Sequence, residues 1–130
     1  MEDKEVLTLP MPQFKAAVVQ LILSRETERA VDIVSKKYGT RTPNLGIGAT
    51  KGRKVALAVY SVSANSILFS DQNHFFDPFV VLHEMYHCIR SKSGSHRGTE
   101  KNADRFALDF IMEYQRHVTS VFNFQISKVD

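Results

Sequence analysis

The chain is nearly devoid of cysteine. Its 130 residues include one, Cys88, so no disulfide can close within it, and nothing in it asks for an oxidising compartment. No apolar run approaches the ~18 residues that a membrane span needs. The first ten residues, MEDKEVLTLP, are charged and hold no long apolar core, so no secretory leader is expected there. A dense basic stripe is missing as well. The formal net charge is +3, and Lys and Arg are scattered apart from short clusters at Lys51–Lys54 and Arg90–Arg97, which disfavours a nucleic-acid reader. There is no internal repeat, no low-complexity tract and no helix-turn-helix pattern. Together these absences lead us to expect a soluble, cytoplasmic chain with no membrane partner. Self-association stays open.

What the chain does hold is an ordinary globular balance, 43% hydrophobic and 24% charged. Its length suits one domain over residues 1–130, large enough to bury a core without disulfide staples. The expected fold is α+β. Residues 1–12 read as a tail ending in Pro10 and Pro12. From Gln13 to Tyr38 apolar residues recur at helical spacing (Phe14, Ala17, Val18, Leu21, Ile22, then Ala30, Val31, Val34). Ser24 either caps a second helix or lies inside one long helix, and Gly39 stops the run. Residues 40–72 read as about three strands: Leu45 with Ile47, Val55 to Tyr60, and Ser66 to Ser70, the last two joined by a turn at Ser63-Ala64-Asn65. These make a small, mostly antiparallel sheet. Asp77 and Pro78 then open a helix as cap and first residue, and Gly94 is its expected stop. Thr99 is the expected cap of a further helix running to about His117. The tail from Val118 to Asp130 alternates at Val121-Phe122-Asn123-Phe124-Gln125-Ile126 and reads as a strand or docked extended segment.

The chemistry lies in His83-Glu84-Met85-Tyr86-His87, an H-E-x-x-H pattern inside the helix that Asp77 opens. Residues four apart stand one turn above the other, so both imidazoles can converge on one divalent ion. Glu84 points to the side of that pair, where it can reach a water without becoming a ligand. Catalytic zinc usually takes a third protein ligand and keeps one position for water. The pattern H-E-x-x-H-x-x-G-x-x-H is absent, because positions 90 and 93 are Arg and Ser. Three candidates follow downstream: His96, Glu100 and Asp104. Glu100 and Asp104 share one face of the next helix, so Glu100 in its first turn can reach the ion. Asp104, one turn deeper, can accept the other ring N–H of a ligating histidine and orient it. This arrangement favours Glu100 over His96.

HEMYH followed by EKNADRFA resembles the gluzincin peptidases, and in its E-x-x-A-D-x-F-A form it is especially similar to the ImmA/IrrE-type metallopeptidases. The small size is similar to that of the minigluzincins. The matching motifs cover residues 79–111. The resemblance implies one zinc ion held by His83, His87 and Glu100, with Glu84 as general base and Asp104 behind the ligands. It implies hydrolysis of peptide bonds in a peptide or protein substrate. Relatives of this type also suggest a regulatory protease of one dedicated partner, or a C-terminal segment over residues 118–130 that covers the cleft and keeps the enzyme latent. A non-catalytic metal-binding module is the remaining alternative, and Glu84 speaks against it. The larger peptidases of this type carry a further subdomain with a Tyr or His for the transition state. This chain has little room for one, so His96, Arg97, Tyr114 and His117 are the candidates for that contact. The strand Ser66–Ser70 is a candidate sheet edge for binding an extended peptide. Cys88 is expected to be a buried filler.

Overall fold

The structure is a computed structural model, and it describes residues 1–48, 57–91 and 98–127. The expected second strand therefore starts outside the described residues, as do the Lys51–Lys54 cluster, Lys92 to Arg97 with the expected stop at Gly94, and the last three residues.

The fold is α+β. Its elements run α1 (Asp3–Thr8), α2 (Met11–Leu23), α3 (Thr27–Lys37), β1 (Asn44–Ile47), β2 (Ala58–Ser61), β3 (Ser66–Phe69), α4 (Gln72–Phe75), α5 (Pro78–Arg90) and α6 (Glu100–Ser127). Among the described residues no helix is long and apolar enough to cross a membrane. Where a tail was expected, Glu2 and Glu5 form a reciprocal capping box that starts α1. Arg29 of α3 ties α1 down through Asp3 at 2.6 Å.

Residues 11–37 form two helices. Ser24 ends the first instead of capping the second. Arg25 takes a left-handed conformation at φ 66°. Its amide donates to Ile22, and the amide of Glu26 reaches back to the Leu21 carbonyl at 2.9 Å, the pattern of a Schellman turn. The same closure recurs at the end of α3. There Gly39 has φ 67° and the Thr40 amide donates to Ser35 at 2.9 Å.

The sheet has the order β1-β3-β2. β2 and β3 form the expected antiparallel hairpin through Asn65, while β1 pairs with β3 in parallel. The sheet is therefore mixed, with one pairing of each kind, and β3 lies at its centre. The strand expected at the edge is the middle one, and β2 is the edge nearest α5. Burial explains this, because Ile67 and Phe69 of β3 are fully buried while all of β2 is only half-buried.

The core lies between α2, α3, α5, α6 and the inner face of β3. Phe14, Val18 and Ile22 of α2 meet Leu82 and Met85 of α5 and Phe110 of α6 in one buried cluster. Phe110 joins α6 to that cluster. It packs edge-on to Phe14 at 6.4 Å and tilts against Phe106 at 4.9 Å.

α6 continues ten residues beyond the expected end at His117, to Ser127. The extended C-terminal tail is thus replaced by helix as far as Ser127. No glycine or proline follows Gly98, so nothing breaks an established helix, and each added residue gains a backbone hydrogen bond. A 28-residue helix is about 42 Å long. With Glu100 at its start, residues 118–127 lie along the far end and not across the segment that carries Glu100.

Phe110→Ala is expected to destabilise the fold by about 3–5 kcal/mol, because it empties a large buried position that the rigid helices around it cannot fill. Urea denaturation of both proteins measures this.

Candidate metal centre

α5 is built to present the H-E-x-x-H residues. Asp77 caps it by accepting from the amide of Phe79 at 2.9 Å, and Pro78 occupies the first turn, where its missing N–H costs nothing. Val81, Leu82, Met85 and Cys88 face the core. That fixes the rotation of the helix and leaves His83 and His87 at the border of the buried face. Their rings stand 5.1 Å apart.

α6 brings the third group. Thr99 caps it as expected, its hydroxyl accepting from the Asn102 amide at 3.1 Å. Ala103 and Ala107 are fully buried, and such small residues let α6 approach α5 closely. Glu100 is the first residue of the helix, where the positive end of the helix dipole favours a carboxylate. Its two oxygens reach both rings: Oε1 lies 2.5 Å from Nε2 of His87, and Oε2 lies 3.0 Å from Nε2 of His83. One turn on, Asp104 Oδ1 sits 2.8 Å from Nδ1 of His83. The structure thus brings His83, His87, Glu100 and Asp104 together as the spacing predicts. Burial raises the pKa of the Glu100 carboxyl, but the His87 and His83 rings outweigh it and hold the group below its ordinary range. The two rings thus favour the ionised carboxylate, which is the form that binds a cation.

Glu84 is buried beside the cluster. Its Oε1 accepts a hydrogen bond from the Tyr60 backbone N–H of β2 at 3.0 Å, and its Oε2 lies 3.8 Å from Nε2 of His83. Tyr60 faces Ile67 across the hairpin, in a register where the Ser70 amide donates to Leu57. That alternation turns the N–H and C=O of Ala58 and Tyr60 outward, away from β3. A cavity of about 250 Å³ opens in front of this group, lined by Leu57, Ala58, Phe79, Val80, His83, Glu84, Glu100 and Asp104. It is apolar on the side of β2 and the start of α5, and acidic on the side of α6.

Two imidazole nitrogens and a carboxylate are the donors that zinc prefers, and donor atoms on one tetrahedral zinc stand roughly 3.3 Å apart. The ligand atoms of His83, His87 and Glu100 all lie within 4.8 Å of one another, so the donor set fits such an ion.

Two other expected contacts, Tyr114 and His117, lie away from the cluster. Tyr114 is half-buried against the core, and His117 is exposed. They lie about 20 and 25 Å along α6 from Glu100, so neither is placed to touch a substrate at the cluster. His96 and Arg97 fall outside the described residues. Cys88 is buried, as expected of a filler, and burial raises its thiol pKa.

Sequence reasoning missed two features. The Tyr60 amide carries no residue signature, because any residue but proline supplies it. The other is Gly98, which has φ +100°, and a Cβ there would stand 2.7 Å from Cε2 and 2.9 Å from the hydroxyl of Tyr86. Tyr86 in turn packs against the His87 ring at 5.7 Å and against Phe106 at 5.7 Å. The chain enters α6 by pressing its backbone onto Tyr86, two residues before Glu100. Gly98→Ala is expected to push that entry away from α5, with the helical circular dichroism kept, and, if the cluster holds zinc, to weaken its binding about tenfold or more. A competition titration with a chromophoric chelator measures the affinity.

No family model matches the chain, and no curated protein or solved structure matches it significantly.

Proposed function

We propose that this chain is a zinc-dependent peptide hydrolase. The observation that supports it best is the convergence of His83, His87 and Glu100 within 4.8 Å, with the Glu84 carboxylate held alongside. A purely structural site would use four protein ligands and has no need of a tethered acid beside it.

His83, His87 and Glu100 would hold the ion, and Asp104 would fix the His83 ring through Nδ1. Zinc supplies an acidified water and polarises a carbonyl at neutral pH. Glu84 then acts as general base. Its Oε1 is tied to β2, so Oε2 is the oxygen that takes the proton of the attacking water and passes it to the leaving amine. The outward backbone groups of Ala58 and the Tyr60 carbonyl suit pairing with an extended peptide laid along the edge of β2. The apolar walls of the cavity, Leu57, Phe79 and Val80, suit an apolar side chain of that peptide. We place the activity in the reducing cytoplasm, where Cys88 stays a thiol.

Glu84→Gln separates this reading from that of a non-catalytic metal-binding module. It is expected to retain one zinc per chain by atomic emission and to lower cleavage of an unstructured protein substrate by a factor of about 10²–10⁴. Metal-loaded wild type without cleavage above that of the variant would sink the proposal. Asp104→Asn is expected to keep the fold and to lower zinc affinity or activity by about 10- to 100-fold, read by chelator competition and the same assay.

A further inference from the structure

The outer face of α6 has no counterpart in the hydrolase reading. Leu108, Met112, Phe122 and Ile126 are each 46–59% exposed, on a face turned away from the Ala103, Ala107 and Phe110 side that packs on the body. With Gln115 and Thr119, both exposed, they recur at alternating steps of four and three residues. That is the 3.5-residue period of a helix–helix seam. The seam is bounded towards the N-terminus by Lys101 and Arg105, which occupy the preceding positions of the same period.

We infer that this seam pairs with the same seam of a second copy of the chain, as an antiparallel two-stranded coiled coil about a two-fold axis beside His117. The order of residues supports this occupant. Reversed about that axis, Leu108 meets Ile126 of the other copy, Met112 meets Phe122, and Gln115 meets Thr119. Every apolar position then faces an apolar one, and the two polar positions face each other within hydrogen-bonding reach. A two-fold interface demands this self-complementarity. The flanks agree with it. Val118 approaches its own copy near the axis. Arg116 on the other flank is already neutralised by Glu113 at 2.6 Å. From Val118 to Ile126 there is no Asp, Glu, Lys or Arg, so no like charges oppose the pairing, and that stretch lacks the cationic rim that anchors a helix on an anionic lipid surface. Beside Leu108 and Met112 a groove of about 510 Å³ is placed to take the partner's large side chains. The seam with Val118 offers roughly 600 Å² per copy, so about 1,200 Å² across the pair, the lower end of stable specific interfaces.

Sedimentation velocity of the full chain between about 1 and about 100 µM tests the pairing. A dimer is expected, and Phe122→Glu and Met112→Glu, both at exposed positions that leave the core intact, are each expected to raise its dissociation constant at least about tenfold. Register is read by oxidative cross-linking: Leu108→Cys mixed with Ile126→Cys gives the disulfide dimer, and neither variant alone does. A monomer at the highest concentration, or a dimer indifferent to both glutamates, overturns the proposal. So does cross-linking of Leu108→Cys to itself, which marks a parallel pair, or a monomer that floats with phosphatidylcholine vesicles, which assigns the face to lipid.

Discussion

The arrangement of this molecule depends on the packing of α6 against α5. Neither helix holds a metal-binding group alone: α5 offers two imidazoles one turn apart, and α6 offers a carboxylate at its first residue. The two become one donor set because buried alanines at 103 and 107 let the helices approach and because Phe110 anchors α6 in the core. The polar cluster sits at the open end of that contact, where the core ends and solvent begins. The exposed Glu100 carboxylate costs little to keep ionised there, whereas the imidazoles stay shielded.

The elements around this contact serve its position. The hairpin of β2 and β3 lays a strand edge along α5, so Glu84 is fixed between a helix and a sheet. The centre of the sheet is β3, whose Ile67 and Phe69 face the helices, and β1 only completes its other side. α2 and α3 close the core from behind. One wall of the cavity is thus backbone and apolar side chains, and the other carries the imidazole and carboxylate groups.

Much of this was legible in the residues. The convergence of these side chains was readable because a helix converts spacing into geometry: His83 and His87 at four, Glu100 and Asp104 at four, each helix marked by its own cap at Asp77 and Thr99. Less readable were the features that depend on backbone alone. Gly39 announces the end of α3, but Arg25 performs the same left-handed turn at the end of α2 without announcing it, which is why one helix or two could not be decided between residues 13 and 38. The alternation from Val121 to Ile126 resembled a strand. Alternation signals a strand only when a sheet edge is there to receive it, and the uninterrupted helix from Glu100 took those residues first. The place of β3 at the centre of the sheet was hidden for a related reason, since strand order is set by contacts between segments far apart in the chain.

The bond between Glu84 and Tyr60 has a consequence for how this protein tolerates change. Its donor belongs to the main chain, so the side chain at position 60 is irrelevant to it, and only proline there removes the hydrogen. An acid anchored in this way does not depend on the chemistry of its neighbour's side chain: what holds Glu84 is the course of the β2 backbone itself.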